Sequence, residues 1–147
     1  MSKYMVTLVD AHDRALGMWD KLDAHREGLL RRAFSVFIFD RGGRLLLQQR
    51  SAAKYHSPGL WSNTCCGHPR PGEHVARAAQ RRLREEMGFA CQLQRIGAMQ
   101  YSLDVGNGLL EREYLHLFVG QWNGEPVPAA DEVSRWRWCA PSAIDAL

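Results

Sequence analysis

The sequence predicts an α/β sandwich, and three observations lead to that fold class. The chain has 147 residues, a hydrophobic fraction of 46% and a charged fraction of 24%, which suit one globular domain with one core. Several short apolar segments have the length and the turn signals of β-strands. One long amphipathic segment and one short terminal segment have the pattern of helices, and this combination favours a layered α/β arrangement. We therefore expect a single domain over residues 1–147.

The strands are predicted from apolar runs bounded by turn residues. Two hairpins come first, and the second has the stronger signal because Gly42 and Gly43 lie between its strands. Residues 34–39 are nearly all apolar, as expected for a strand that is covered on both faces. The predicted strands are residues 5–9, 15–19, 34–39, 44–49, 92–102, 111–122 and 133–139.

The main helix is predicted over residues 73–87, after a long connection. Residues 50–72 are rich in Ser, Pro, Gly and His, and so long a connection in a compact domain is usually functional. Gly88 is suited to end the helix, and residues 141–147 begin a second helix within which the chain stops. The apolar positions of the main helix recur every fourth residue: Val75, Ala79, Leu83 and Met87.

Composition and charge argue against several classes of protein. The net charge of +3 is too small to indicate nucleic-acid binding, although converging arginines would favour an anionic ligand. The sequence has no run of about 18 apolar residues, so no membrane span is expected. The start shows no signal peptide, so we expect a cytoplasmic protein. The four cysteines include no CxxC pair, which argues against a cysteine-rich zinc site and favours free thiols.

Two carboxylates at the end of the main helix are chemically unusual. Glu85 and Glu86 lie in its last turn, where the helix dipole is already negative. At an exposed site this placement costs about 0.3–1 kcal/mol unless a cation compensates it. The cation could come from Arg81 and Arg82, through pairs four residues apart, or it could be a bound metal ion.

A longer pattern around this helix resembles the Nudix box, a loop–helix–loop that binds a divalent metal ion and a diphosphate. The family has Glu where this chain has Arg82, which argues against diphosphate hydrolysis, whereas an arginine there could contact a diphosphate. The matching residues are Gly67, Glu73, Arg81, Leu83, Glu85, Glu86, Gly88 and Phe89.

The chain also resembles the type 1 isopentenyl-diphosphate isomerase family, from the region of residue 5 to its last residue. The segments that carry this resemblance are AFSVFIFD at 33–40, LLLQQRSAAKYHSPGLWSNTCCGHPRPGE at 45–73, RRLREEMG at 81–88 and EREYLHLF at 111–118. The resemblance implies a Nudix-type α/β/α sandwich with a mixed central sheet. It also implies an enzyme that interconverts isopentenyl diphosphate and dimethylallyl diphosphate, by protonation and deprotonation through a carbocation-like intermediate.

The resemblance assigns the two proton-transfer groups. Cys66 would be the catalytic thiol on one face of the alkene, and a thiol can exchange a proton near neutral pH if nearby cations lower its pKa. Glu113 would be the acid–base group on the opposite face, assisted by the phenol of Tyr101. Strand alternation places Glu111 and Glu113 on one side of the 111–119 segment, followed by apolar residues, as in a half-dry pocket. The alternative is an ordinary polar end of a strand.

The resemblance further implies a tight Mn²⁺ or Zn²⁺ site formed by histidines and glutamates. The matching ligands are His25, His68, Glu111 and Glu113. A further histidine is expected where this chain has Arg31, and arginine stays protonated and has no lone pair to offer a cation. Either the metal ion binds four protein ligands while Arg31 swings away, or the guanidinium occupies the site and pairs with both carboxylates. We expect either arrangement to weaken activity.

The second implied metal ion is Mg²⁺, which arrives with the substrate diphosphate. Glu86 matches its protein ligand, and one carboxylate is enough because Mg²⁺ also binds substrate phosphates. Arg50, Lys54 and Arg82 match positions that hold the diphosphate, and the alternative for these residues is solvated surface charge. Trp61 is expected either to line the pocket or to pack in the core.

Three functions stay open at the level of sequence. The first is isomerisation of a prenyl diphosphate, which is a small-molecule substrate. The second is a degenerate module that binds diphosphates without catalysis, which Arg31 and an incomplete terminal helix favour. The third is a Nudix diphosphohydrolase, which Glu85 and Glu86 permit and Arg82 opposes. Because the family continues beyond the last residue of this chain and supplies a tryptophan over the alkene, we expect a missing lid to admit water.

Overall fold

The computed structural model describes residues 5–52 and 59–146, apart from the side chains of residues 145 and 146. This part of the chain forms strands, two α-helices and a terminal 3-10 helix. In chain order they are β1 (Met5–Val9), β2 (Ala15–Asp20), α1 (Lys21–Glu27), β3 (Arg31–Phe39), β4 (Leu45–Arg50), β5 (Trp61–Ser62), β6 (Cys65–Gly67), α2 (Val75–Met87), β7 (Leu93–Gly106), β8 (Leu109–Gln121), β9 (Val133–Cys139) and the 3-10 helix (Pro141–Ala146). The α/β class that the sequence predicts is confirmed.

The strands form one mixed sheet that is organised around β3. This strand runs antiparallel to β1, β4 and β6 and parallel to β8. The parallel register places Arg31 opposite Glu113 and continues to Phe39 opposite Gln121. Strand β7 adds to β8 in antiparallel register. The first residues of β3 and β8 therefore lie side by side, and this is where the polar residues of both strands meet.

The core confirms that β3 is covered on both faces. Phe34, Val36 and Ile38 are fully buried on the face that packs against α2. Phe37 and Phe39 pack on the other face, in a second cluster with strand β4 and the last residue of β9. Burying each large apolar side chain stabilises the fold by about 1.5–3 kcal/mol. The predicted helix face is buried as well: Ala79, Leu83 and Met87 belong to the first cluster.

The ends of α2 explain a small error in the predicted helix. The helix begins at Val75, two residues later than predicted, because His74 is its N-cap and accepts a hydrogen bond from the Ala76 backbone at 3.2 Å. Gly88 ends it as predicted, in the left-handed conformation with φ of 75°. A Cβ atom at Gly88 would lie 2.3 Å from the carbonyl oxygen of Val127, so the close approach of that loop also requires glycine.

Helix α1 was not predicted, because its seven residues are too few to show an amphipathic period. Its ends nevertheless carry sequence signals. The Asp20 carboxylate caps the first turn by accepting from the Leu22 and Asp23 backbones at 3.0 and 3.3 Å. Gly28 ends the helix in the left-handed conformation with φ of 65°. A polar residue and a glycine eight positions apart were the available evidence for a short helix here.

Three further boundaries differ from the predictions. The 50–72 connection contains the short strands β5 and β6, whose few residues give no periodic signal. The two long strands extend further towards their shared turn, β7 to Gly106 and β8 from Leu109. The terminal segment is a 3-10 helix rather than an α-helix. Within the described ranges, no helix combines the length and the apolar character that a membrane crossing requires.

Candidate active site

A cavity of about 610 Å³ opens between β1, α1, β6, α2, β7 and β8. It gathers side chains that are far apart in the sequence. The predicted site residues that line it are His25, Arg50, Trp61, Cys66, His68, Arg82, Glu86, Tyr101, Glu111 and Glu113. Lys54, which the sequence analysis assigned to the diphosphate, lies outside the described residues. The structure therefore brings the other predicted site residues to one cavity.

Strand β6 directs one of the two adjacent cysteines into this cavity. Cys66 pairs with Ser35 across β6 and β3, while Cys65 points to the opposite face and is fully buried in the core against α2. The Cys66 thiol donates a hydrogen bond to Oδ1 of Asn63 at 3.1 Å, and its sulfur lies 3.3 Å from the Ser35 hydroxyl. Alternation along a strand of three residues thus separates a core cysteine from a cavity cysteine.

The surroundings of Cys66 in the described part of the chain do not supply the cations that would lower the pKa of its thiol. Burial raises the pKa of the thiol to about 11, and its hydrogen bonds with Ser35 and Asn63 offset only part of this effect. The negative charges of Glu86 and Glu113 raise the pKa further. With a pKa of about 11, Cys66 holds its proton at neutral pH in the protein alone.

An acidic pair faces the same cavity from β8. Alternation puts Glu111 and Glu113 on one side of the strand, as predicted, and Tyr101 on β7 lies opposite Glu113. The tyrosine hydroxyl contacts Oε1 of Glu113 at 2.6 Å and also contacts Oε1 of Glu111. A phenol has one proton, so it can donate to only one of the two carboxyl groups at a time. The other contact requires a proton on the carboxyl group.

The two carboxyl groups differ in their affinity for that proton. Burial, followed by the charge of Glu113, raises the pKa of Glu111. Burial also disfavours the charged form of Glu113, but the hydrogen bond and charge of His68, together with the hydrogen bond from Tyr101, outweigh it and lower the Glu113 pKa to about 2. Nε2 of His68 lies 2.8 Å from Oε2 of Glu113. Because an ionised carboxylate only accepts, this nitrogen carries the hydrogen, and burial lowers the His68 pKa.

Arg31 is held inside the protein next to this acidic pair. Its side chain is 0% exposed, and its guanidinium donates to the backbone carbonyls of Leu29 and Leu110 at 3.0 and 3.1 Å. Its charge lowers the pKa values of both Glu111 and Glu113. Of the two arrangements left open by the sequence, the structure has the guanidinium inside rather than turned away.

The residues expected to bind Mn²⁺ or Zn²⁺ share the cavity without forming a coordination site. His25 is buried in α1, and His68 and Glu113 are hydrogen-bonded to each other. Among residues 5–52 and 59–146, no three His, Cys, Asp or Glu side chains converge closely enough to hold a metal ion. With the cation of Arg31 beside them, these side chains do not fit a tightly bound metal ion in this arrangement.

A cluster of arginines and carboxylates forms the α2 side of the cavity. Arg82 donates to Glu85 at 2.7 Å and to Glu86 at 2.6 Å, and it also contacts the carboxylate of Glu132. Arg81 donates to Glu85 at 3.0 Å. The pairs four residues apart that the sequence analysis offered as an alternative to a metal ion are therefore present. Glu132 lies in a loop without periodicity, so sequence reasoning missed it.

The Glu86 carboxylate is oriented by a residue that sequence reasoning also missed. Buried Gln48 donates to Oε1 of Glu86 at 2.9 Å and to the carbonyl of Thr64 at 2.8 Å. A glutamine directly after three leucines in the strand LLLQQR was the available signal, because a buried amide requires partners. Glu86 keeps lone pairs towards the cavity and could still accept one metal ion that brings its other ligands with the substrate.

Trp61 satisfies both alternatives that the sequence left open. It lines the cavity, and it also packs against the second core cluster. The guanidinium groups of Arg135 and Arg137 lie 5.6 and 5.8 Å from the centre of its ring, within the range of cation–π contacts. These two arginines on β9 hold the indole at the cavity wall.

Fold and cavity together define a class of protein. Residues 29–147 match the family model of the NUDIX domain. A crystal structure of a Deinococcus radiodurans protein has the same fold, with a TM-score of 0.79 and 19% sequence identity over 97% of this chain and 86% of that one. These findings confirm the Nudix-type fold that the sequence predicts.

Relatives with higher sequence identity show the family to which the chain belongs within this class of protein. The chain is 56% identical to the isopentenyl-diphosphate Delta-isomerase of Burkholderia multivorans, over 89% of this chain and 74% of that protein. It is 54% identical to the protein of the same name from Serratia proteamaculans, over 91% and 75%. The chain belongs to the isopentenyl-diphosphate Delta-isomerase family. Proteins of this family generally use divalent metal ions.

Proposed function

We propose that this protein isomerises isopentenyl diphosphate to dimethylallyl diphosphate. The similar proteins from Burkholderia multivorans and Serratia proteamaculans are named for this reaction. The observation that carries the proposal for this chain is that Cys66 and Glu113 border one cavity, from β6 and β8 respectively. The two residues approach it from different strands, as a pair that works on opposite faces of a small alkene must.

The reaction requires one proton to be added at the terminal carbon of the alkene and another to be removed two carbons away. An alkene is a very weak base, so the proton donor and acceptor must be positioned and shielded from water. In the free protein, Cys66 holds its proton and Glu113 is ionised, so the cavity offers one donor and one acceptor. Proton exchange with solvent after each turnover returns both groups to this state.

Tyr101 and Glu111 support the acceptor side of the cavity. Burial and the neighbouring carboxylates raise the pKa of Tyr101, so the phenol keeps its proton and shares it through short hydrogen bonds. Glu111 has the raised carboxyl pKa and forms a reservoir for a further proton next to Glu113. A proton that reaches Glu113 can thus be passed along this network rather than remain at the reacting carbon.

The diphosphate end of the substrate is assigned to the α2 side of the cavity. Arg50 and Arg82 line it and carry permanent positive charge, and Lys54 is proposed as a third contact. Arg82 must exchange some of its carboxylate partners for phosphate oxygens when the substrate binds. A Mg²⁺ ion held by Glu86 would supply further positive charge to the diphosphate.

The decisive experiment follows deuterium from solvent into the substrate. Incubation in ²H₂O with isopentenyl diphosphate and Mg²⁺ is expected to put deuterium into both the substrate and its isomer, as read by NMR. Cys66→Ala should abolish the incorporation, whereas Cys65→Ala is the matched control and should keep it. Absence of deuterium at saturating substrate, with the wild-type chain, would contradict the proposal.

The other functions open at the sequence level have less support. A diphosphohydrolase needs carboxylates free to assemble metal ions, but Arg82 binds those of Glu85, Glu86 and Glu132. Phosphate release from nucleoside diphosphate derivatives would reveal such an activity. A binding module without catalysis would take up the diphosphate and show no deuterium exchange. We further propose the cytoplasm as the compartment.

A further inference from the structure

The buried carboxylate of Glu113 on β8, with the half-buried Glu111 beside it, needs a compensating positive charge. Glu113 is 5% exposed, and Glu111 lies two residues away on the same side of the strand. Removing a carboxylate from water costs several kcal/mol unless a cation and hydrogen bonds compensate it. Tyr101 and His68 supply hydrogen bonds, but neither side chain carries a permanent positive charge, and burial lowers the pKa of His68. The compensating charge must come from another residue around this end of the cavity.

Arg31 is the cation that the fold fixes at this place. The parallel register of β3 and β8 sets it directly opposite Glu113. Its two bonds to the carbonyls of Leu29 and Leu110 tie the guanidinium to both strand starts, and Leu110 precedes Glu111. Arginine stays charged even when buried, so the site holds a cation under all conditions in which the protein is folded.

The local packing keeps Arg31 from leaving. Gly28, which ends α1, approaches Leu110 so closely that a Cβ atom would lie 2.9 Å from its Cδ1. The carbonyl of Leu110 and the neighbouring carbonyl of Leu29 both accept from the guanidinium. Turning Arg31 outward would break both hydrogen bonds. It would also leave a large void beside the close contact between Gly28 and Leu110.

We propose that the guanidinium of Arg31 is the built-in cation of the Glu111–Glu113 pair, and that it fills the place of a tightly bound transition-metal ion at this end of the cavity. This inference deepens the proposed function and rests on it for the reaction that the acidic pair serves. The two carboxylates would then be oriented by hydrogen bonds and by a covalently attached charge. Divalent ions would be needed only where the diphosphate binds, near Glu86.

The first test measures metal binding and needs no activity. Chain stripped with EDTA is titrated with Mn²⁺, and free Mn²⁺ is followed by its six-line EPR signal. When one equivalent of Mn²⁺ is added to the wild-type chain, the EPR signal of free Mn²⁺ is expected to equal that of the same addition to buffer. Tight uptake of one Mn²⁺ per wild-type chain would overturn the proposal, and this arm does not depend on the folding of any variant.

The second test restores a metal ligand at the same position. Arg31→His removes the fixed cation and adds an imidazole beside His68, Glu111 and Glu113, so it is expected to bind about one Mn²⁺ per chain. The double variant Arg31→His with Glu113→Gln should lose this binding. Arg44→His, at an exposed position beside Asp40, is the matched control for an added histidine. Equal Mn²⁺ uptake by Arg31→His and wild-type chains, with folding verified by circular dichroism, would also overturn the proposal.

The deuterium exchange separates failure of this inference from failure of the proposed function. If Arg31 is the cation, wild-type exchange measured with Mg²⁺ alone should equal exchange with Mg²⁺ and Mn²⁺ together. A rise of tenfold or more on adding Mn²⁺ would refute the inference and leave the isomerase function intact. Absence of exchange under both conditions would refute the function, while the EPR titration would still decide whether the site takes a metal ion.

Discussion

Tyr101→Phe gives the sharpest test of the proton network, because it deletes one oxygen atom and keeps the ring. The hydroxyl contacts both Glu111 and Glu113, so the change removes a hydrogen-bond partner from one buried and one half-buried carboxyl group. A hydrogen bond to a charged group contributes about 1.5–3 kcal/mol. Since Glu113 keeps its 2.8 Å bond to His68, we take the lower value and expect a loss of about 1.5 kcal/mol in the free energy of unfolding.

The same substitution should also slow the reaction. Loss of a hydrogen bond that lowers the pKa of Glu113 raises that pKa by about one unit for each 1.4 kcal/mol. With the proton route along the network also removed, we expect kcat to fall about tenfold to a hundredfold, within the range of general acid–base effects. KM should change little, because the substitution keeps the ring and leaves the arginines assigned to the diphosphate in place.

Urea unfolding at pH 7 and steady-state isomerase kinetics measure the two effects. Tyr114→Phe is the matched control, because Tyr114 occupies the opposite face of β8 with its ring 5.5 Å from that of His116. Unchanged kcat in Tyr101→Phe would refute the role of the phenol in proton transfer. An unchanged free energy of unfolding would refute the hydrogen-bond geometry itself.

Two further predictions concern pH and backbone geometry. The Glu113 pKa is lowered from 4.5 to about 2 in the folded chain, so its stabilisation is present above pH 4.5 and lost as the pH falls towards 2. In Glu113→Gln, the free energy of unfolding should therefore fall by about 3 kcal/mol less than in the wild-type chain as the pH is lowered across that window. The same pH dependence of the free energy of unfolding in both proteins would disprove the pKa shift. Gly88→Ala should lower the free energy of unfolding by about 1–3 kcal/mol because of its φ of 75° and the Val127 carbonyl, whereas an unaltered urea midpoint would contradict the close approach.

The sequence predicted the sheet and the main helix well, because both have long periodic patterns. Apolar residues 34–39 correspond to a strand buried on both faces, and Leu83 and Met87 lie on the buried side of α2. The short elements were missed or misplaced, because α1, β5 and β6 have too few residues for a period to show. Their conformations depend on caps and on pairing with β3 and β4, which are tertiary effects.

The site was predicted from motifs more completely than from physical reasoning about single residues. Chain alternation alone placed Glu111 and Glu113 together, but nothing in the sequence disclosed that Tyr101 would contact both. The sequence did not show that the pKa of Cys66 is raised, because burial of the thiol and its distances to Glu86 and Glu113 depend on the final fold. Gln48 and Glu132 reach their partners only through long-range contacts, and such partners do not appear in a local pattern.

The three-residue strand β6 makes the identity of the reactive thiol a question of strand register. A slip of one residue against β3 would exchange the positions of Cys65 and Cys66. Two side chains prevent the slip: the Thr64 hydroxyl donates to the Leu46 carbonyl at 2.7 Å and accepts from the Ile38 backbone at 3.0 Å, and the Asn63 amide binds two carbonyls. If the hydrogen bonds of Thr64 and Asn63 were weakened, Cys65 could take the place of Cys66 at the cavity wall. Peptide mapping after alkylation would then detect the chains with shifted register, because Cys65 rather than Cys66 would be alkylated in them.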